Sequence, residues 1–362
     1  MNEQIKQQLQ EKNQNLINMV VERAKRDFPE EIALIGLTGS FSTNDFHEKS
    51  DLDLIIVNNT DAGWAIGDCF ILGDVGYDIY CTPWAKLEEM SRLDTYWISL
   101  LTDLKILYTA DEKHLKRFND LKEKALKTLS QPVGESSIRR AEKDFNQAKQ
   151  TYADMFLSNE IGAVRYAASE LIFHVVNGIV GLNNTYIKRG VKRYLDDLAT
   201  YQYLPVDFER LYMEIVEAKT VSEIRQTSLA LLQSFKTLSD QLKEKYLPKN
   251  TPTKENLKGT YEELWCNVRN KLINATTLGE KSYAFLVANG GQNYLDEMTE
   301  ERGTPKFDLM QHFDADNLDN FREKFLEIME QYRLEYDKVG LEVRKFADFE
   351  TLYKSYGDKP KI

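Results

Sequence analysis

The chain has little cysteine or histidine, and what it has is scattered. Its three cysteines, Cys69, Cys81 and Cys266, show no metal-ligand spacing, and an odd count argues against a disulfide framework. Its four histidines, His47, His114, His174 and His312, do not cluster, which excludes a zinc site of the usual spacing. No apolar run reaches the roughly 18 residues needed to span a bilayer. The opening Met-Asn-Glu-Gln-Ile-Lys-Gln-Gln is too polar for a secretory signal. A reducing, cytoplasmic setting with no membrane contact is therefore expected. Internal repeats, heptad arrays and low-complexity tracts are also lacking. Nor is there an excess of positive charge. The formal net charge is -11, and residues 1–110 hold 18 Asp and Glu against nine Lys and Arg, a net of −9. Such a surface repels a polyphosphate backbone unless metals or local basic residues intervene. A long nucleic acid is thus disfavoured as a partner, and a small cationic molecule suits the charge better.

What is present fits a globular protein of two or three domains. The length is 362 residues, with 42% hydrophobic and 29% charged, which leaves no room for disorder on a large scale. Residues 1–28 carry a helical period through Leu9, Leu16, Val20 and Ala24, stopped by Pro29. Short strands are predicted at 32–37, 52–57, 69–72, 75–80 and 105–108, with a tight turn at Thr38-Gly39-Ser40 and a hairpin around Gly73-Asp74. Helices are predicted near 84–91 and 94–102. This small mixed-sheet segment ends near residue 130. After a linker at 130–137, the pattern is helical to 246, with a capping box at Thr220-Val221-Ser222-Glu223. A second linker, Leu247 to Thr253, leads to a further helical region, where Thr260-Tyr261-Glu262-Glu263 reads as another capping box opening a helix through Leu272. Helices are also predicted at 283–298 and 317–337. The expected fold class is α+β, with domains at 1–130, 137–247 and 256–362.

The informative stretch is Gly36-Leu37-Thr38-Gly39-Ser40 followed, after ten intervening residues, by Asp51-Leu52-Asp53-Leu54. Side chains alternate faces along a strand, so Asp51 and Asp53 project together. Two adjacent carboxylates repel and split their pKa values unless a cation lies between them. Asp78, in Val75-Gly76-Tyr77-Asp78-Ile79-Tyr80, is a third acid among apolar strand residues. Three carboxylates can hold two metal ions, an arrangement suited to phosphoryl or nucleotidyl transfer. Gly39 permits close backbone approach, and Ser40 can offer a hydroxyl and an N–H to a phosphate.

These residues, with the preceding Ser50, resemble the signature of the polymerase β nucleotidyltransferase superfamily. The resemblance implies that Gly39, Ser40 and Ser50 serve the nucleotide triphosphate, with ATP the expected nucleotide, and that Asp51, Asp53 and Asp78 bind two magnesium ions. One departure stands out. Many members carry an arginine a few residues after Gly-Ser, and the segment Phe41 to Lys49 has none. The layout of a small catalytic domain followed by helices is similar to the bacterial antibiotic nucleotidyltransferases that act on aminoglycosides or lincosamides, of the kanamycin type. There a helical-domain carboxylate acts as base on the acceptor hydroxyl, and a lysine about a turn later contacts the nucleotide. Asp144 and Lys149 are the counterparts this implies, with unequal spacing. Some such enzymes build one site from two subunits, so a homodimer is an accompanying expectation.

Three functions remain open on sequence alone. The first is transfer of a nucleoside monophosphate to a hydroxyl of a small, aminoglycoside-like acceptor, with pyrophosphate released. The second keeps that chemistry but modifies a protein or a tRNA end, as in toxin–antitoxin systems. The third is a nucleotide-binding module on a decayed catalytic fold, against which the presence of all three acids argues. Two further segments read as structural: the basic run Lys188-Arg189-Gly190-Val191-Lys192-Arg193 as a helix-flanking charge cluster, and His174, in Leu171-Ile172-Phe173-His174-Val175-Val176, as a satisfied core histidine.

Overall fold

The structure is a computed structural model that describes residues 3–357. Two compact units are present, residues 1–247 and 248–362.

The first unit opens with α1 (Glu3–Asp27), β1 (Ile32–Leu37), the short α2 (Gly39–Thr43) and β2 (Leu54–Asn58). Next come β3 (Asp68–Leu72), β4 (Val75–Pro83), α3 (Trp84–Ser91), α4 (Ser99–Thr102), β5 (Lys105–Thr109) and α5 (Glu112–Leu129). The strands form one five-stranded mixed sheet in the order β3-β4-β2-β1-β5. Only β2 and β4 run parallel; the other neighbours are antiparallel. β1 and β2 are buried along their whole length because both faces are covered, which is why they read as unbroken apolar runs. On one face, Leu16, Ile17, Val20 and Ala24 of α1 pack against Ile35, Leu54, Ile56, Ile79 and Cys81. On the other, Leu87 and Met90 of α3 and Phe118 and Ala125 of α5 pack against Leu34, Ile55 and Val57. β4 instead alternates: Val75, Tyr77 and Ile79 are buried, while Gly76, Asp78 and Tyr80 are exposed. The sheet thus keeps one open patch on its second face, at the β2–β4 edge.

The helical part of this unit comprises α6 (Glu135–Asp154), α7 (Ile161–Leu182), α8 (Tyr194–Leu198), α9 (Phe208–Glu217) and α10 (Val221–Tyr246). Its core joins Ala141 and Ala148 of α6 to Val175 and Ile179 of α7 and to Leu231 and Phe235 of α10. The helices are tied to the sheet part by side-chain bonds. Asn184 Nδ2 donates to the carbonyls of Thr128 and Gln131, and the Tyr186 hydroxyl donates to Asp103 at 2.9 Å. The Thr220 capping box forms as read, with Thr220 accepting from the Glu223 N–H and Glu223 accepting from the Thr220 N–H.

The second unit contains α11 (Lys254–Leu257), α12 (Thr260–Leu264), α13 (Asn270–Thr277), α14 (Lys281–Arg302), α15 (Leu318–Lys338) and α16 (Phe349–Gly357). Its core gathers Leu264, Leu272, Leu295, Phe321, Phe325, Tyr332 and Tyr336.

Three local expectations need correction. Thr38-Gly39-Ser40 is not a free turn but the entry to α2. Residues 94–102 are helical only over Ser99–Thr102, since the exposed Tyr96 and Trp97 line cavities instead of following a helical stripe. The Thr260 capping box does not form: the hydroxyl of Thr260 donates to the Leu257 carbonyl and accepts from Tyr332, and Gly259, at φ 91°, makes the turn. The true box lies at Thr253, whose hydroxyl accepts from the Asn256 N–H while Asn256 accepts from the Thr253 N–H. A turn of π-helix, Trp265–Arg269, interrupts the run that follows.

Candidate active site

Strand pairing brings the three acids together. β2 and β4 pair in the register Leu54↔Ile79 and Ile55↔Tyr80. One step back along both strands sets Asp53 beside Asp78, on the face opposite Leu54 and Ile79. Pairing with β1 reaches this far, because the Thr38 N–H donates to the Asp53 carbonyl at 3.0 Å. Asp51 is two residues earlier. Asp51, Asp53 and Asp78 all line one cavity of about 560 Å³ over the open patch of the sheet. Its inner wall is apolar, with Ile55, Leu87, Met90 and Leu104, and the exposed Trp97 stands at its side. Thr82 lies in the same wall, 2% exposed, its hydroxyl without a hydrogen-bond partner among the described residues.

The Gly-Ser step serves Asp53 directly. Gly39 has φ 70°, and a Cβ there would come within 1.7 Å of Asp53 Oδ2. Both the backbone angle and the space demand glycine. The N–H of Ser40 donates to the Asp53 carboxylate. That bond is outweighed by burial and by the charge of Asp51, which together raise the Asp53 carboxyl to about 6. Asp78 is exposed. Its Oδ1 accepts from the Cys69 thiol at 3.3 Å across the β3–β4 pair, and the carboxylate raises that thiol's pKa. Nothing in the local sequence marks Cys69 as a neighbour of Asp78 beyond the hairpin register itself. Ser50 does not line the cavity: its hydroxyl accepts from the His47 N–H at 2.9 Å, closing the 47–50 turn, the local bonding to which a short hydroxyl side chain is prone.

A second cavity, of about 320 Å³, adjoins the first, and Lys86 and Thr95 line both. Here α6 and α7 face the 93–98 segment. Asp144 of α6 is 6% exposed. Its Oδ1 accepts from the Tyr96 hydroxyl at 2.8 Å and lies 3.2 Å from His174 Nδ1, leaving Oδ2 without a hydrogen bond among the described residues. Burial raises the Asp144 pKa; the bonds from Tyr96 and His174 oppose the rise. His174 is thus satisfied, as read, but by a cavity carboxylate. Its position thirty residues from Asp144 gave no sign of this.

Lys149 is not brought to either cavity. Five residues beyond Asp144 is about 140° around a helix, and the ammonium lies over the Phe145 ring on an exposed face. Lys143 and Arg140, on the Asp144 side, line the second cavity instead. The basic run also takes a specific place. Arg193 donates to both oxygens of Asp45 at 2.9 Å and to Asp196, while Arg189 pairs with Asp197 at 2.7 Å. Asp45 follows α2 and its N–H donates to the Ser40 carbonyl. An arginine therefore does reach the loop after Gly-Ser, from 148 residues away, and its guanidinium is taken up in holding that loop.

Residues 17–123 match the family model of the nucleotidyltransferase domain. This segment carries a nucleotidyltransferase domain, and the protein is an enzyme of that class. The matched span begins within α1 and ends within α5, so it contains the whole sheet and all three acids. No curated protein matches the chain. Among solved structures, a nucleotidyltransferase-like protein from Exiguobacterium sibiricum is similar, at 12% identity, covering 63% of this chain and 74% of that one with a TM-score of 0.35. No helix among the described residues is long and apolar enough to cross a membrane.

Proposed function

We propose that the enzyme transfers a nucleoside monophosphate from a nucleoside triphosphate, with ATP the expected donor, to a hydroxyl of a small acceptor, releasing pyrophosphate. The observation that carries this reading is the adjacency of two cavities, one lined by Asp51, Asp53 and Asp78 and the other by an oriented buried carboxylate, Asp144. Lys86 and Thr95 line both cavities, so a donor in one would lie beside an acceptor in the other.

The residues fit magnesium by their chemistry. Three carboxylates in one cavity are hard oxygen donors, and Asp53 has a like charge beside it and no cationic side chain bonded to it. Among the described residues no three His, Cys, Asp or Glu side chains converge closely enough to enclose an ion unaided. That suits an ion which takes one or two carboxylates and completes its shell with substrate phosphates and water. Asp53, with Asp51 or Asp78 beside it, would hold it. Bound there, magnesium would neutralise charge developing on the α-phosphate and the leaving pyrophosphate.

The chain's own groups supply the rest. Gly39 and Ser40 hold Asp53 in place and offer backbone close to it. Tyr96 and His174 fix Asp144 by one oxygen, and the other is left to accept the acceptor's hydroxyl proton. The acceptor oxygen then bonds to the α-phosphorus, the bond from that phosphorus to the bridging oxygen breaks, and pyrophosphate leaves. The two arginines of the basic run are paired within the chain, which gives no support to a tRNA acceptor.

The test is pyrophosphate release with magnesium and each of four nucleoside triphosphates, against panels of small hydroxylated acceptors. Release that requires an acceptor and is lost in Asp53→Asn supports the assignment. Label that appears only on a protein or tRNA would replace the small acceptor, and equal release by the variant would remove Asp53 from the chemistry.

A further inference from the structure

The charge of the first 110 residues favours a cationic acceptor, but the cavity beside Asp144 has the opposite local character. Resting on the proposed transferase reading, we infer that this cavity takes an acceptor bearing an anionic group, a carboxylate or a phosphate monoester, held by Arg140 and Lys143 with a hydroxyl turned toward Asp144. Arg140 is the deciding residue. It is half-buried, it lines the cavity, and among the described residues no carboxylate lies within ion-pair distance of it. Its guanidinium donates to the Ser136 hydroxyl and to the side-chain carbonyl of Asn184, two neutral groups. Burial lowers its pKa, and the only charge that opposes this is Asp94, which is itself paired with Arg92 at 2.6 Å. A guanidinium removed from water without an anion is costly, and its five donors suit a planar or tetrahedral oxyanion.

The remaining charges in the cavity agree. Lys86 is paired with Glu89 at 2.8 Å, so these two cancel. Lys143, one residue from Asp144, has no acidic partner within ion-pair distance among the described residues and lines the same cavity. Asp94 also lines the cavity, but its carboxylate is held by Arg92 from outside the lining, so Arg140 and Lys143 are left facing the carboxylate of Asp144. Lys143 and Asp144 follow Arg140 on α6 by three and four residues, and all three line the one cavity, so an anionic group and a hydroxyl on one small molecule can be met together. The overall acidity of the sheet part acts at long range and governs approach; these paired and unpaired charges act at contact.

The experiment is calorimetric titration of the full-length protein with inorganic phosphate, without metal, which needs no turnover. The wild type should bind phosphate. Arg140→Gln and Lys143→Gln should each weaken binding at least about tenfold, the size expected for loss of a charge-assisted bond. Asp53→Asn should bind phosphate as the wild type does. Addition of magnesium and a non-hydrolysable nucleoside triphosphate analogue to saturation should leave phosphate affinity within about twofold. Three results overturn the inference: no binding by the wild type, unchanged binding in both cation variants, or displacement of phosphate by the nucleotide analogue, which would assign Arg140 and Lys143 to the nucleotide's own phosphates. Lys143 is exposed, so its variant remains informative if Arg140→Gln does not fold. Absence of pyrophosphate release alongside intact phosphate binding would count against the transferase reading alone.

Discussion

The two cavities treat their carboxylates differently. In the sheet cavity Asp53 has a backbone N–H, a like charge two residues away and an apolar wall, and its carboxyl is raised to about 6. In the helical cavity Asp144 is more deeply buried, yet a tyrosine and a histidine are bonded to it and no second carboxylate presses on it. The first is an arrangement under electrostatic stress that a cation relieves; the second is an oriented acceptor of a proton. Burial alone does not distinguish a metal ligand from a base. The partners do.

The sharpest way to test that contrast is to remove a charge from each side. Asp53→Asn, or Asp51→Asn, should lower the magnesium-dependent rate by about a thousandfold or more, because a lost metal carboxylate removes several kcal/mol from the transition state. Steady-state pyrophosphate release reads it. Asp144→Asn should cost less, about a hundredfold to ten-thousandfold, the range for a general base. Calorimetry should show its nucleotide and magnesium binding nearly unchanged, and weakened nucleotide binding would move Asp144 to the donor side. A smaller effect is expected for Tyr96→Phe. The tyrosine donates to the charged form of Asp144, so its loss raises the Asp144 pKa further. The acidic limb of the rate profile should move to higher pH, with Tm little changed.

Stability should respond in the opposite sense to activity at Asp53. A carboxyl raised from 3.8 to about 6 in the fold contributes nothing unfavourable below the unfolded value and destabilises progressively as pH climbs through the interval. In chelator, Asp53→Asn should therefore melt above the wild type at pH 8, and the gap should close as pH falls through 6 toward 4. A gap that does not vary with pH would place the strain elsewhere. The least effect is expected from Arg193→Gln. The Asp45 pair is largely exposed and screened by solvent, so Tm should hardly move, and a small rise in KM for the nucleotide should be its main trace.

The same division governs what the sequence could show. Strand alternation and apolar runs located the five strands and the acid pair, because those signals are local. Asp78 was within reach because the hairpin around Gly73 is also local. Asp144 was found through likeness to other enzymes, not by any pattern of its own. Its partners Tyr96 and His174 lie on two other elements, the 93–98 segment and α7, which only packing against α6 brings to it, whereas Arg140 is one turn away on the same helix. Lys149 failed for a geometric reason, since five residues along a helix do not share a face. Arg193 was hidden in a charge run, and only the bend through 183–190 brings it to Asp45.

The account is tested most directly by incubating the protein with magnesium, an α-phosphate-labelled nucleoside triphosphate and the small-molecule fraction of a cell extract, with wild type, Asp53→Asn and Asp144→Asn side by side. The wild type should place label on a small product with one pyrophosphate released per transfer, and neither variant should do so at a comparable rate. Label transferred equally well by Asp53→Asn would contradict the central claim.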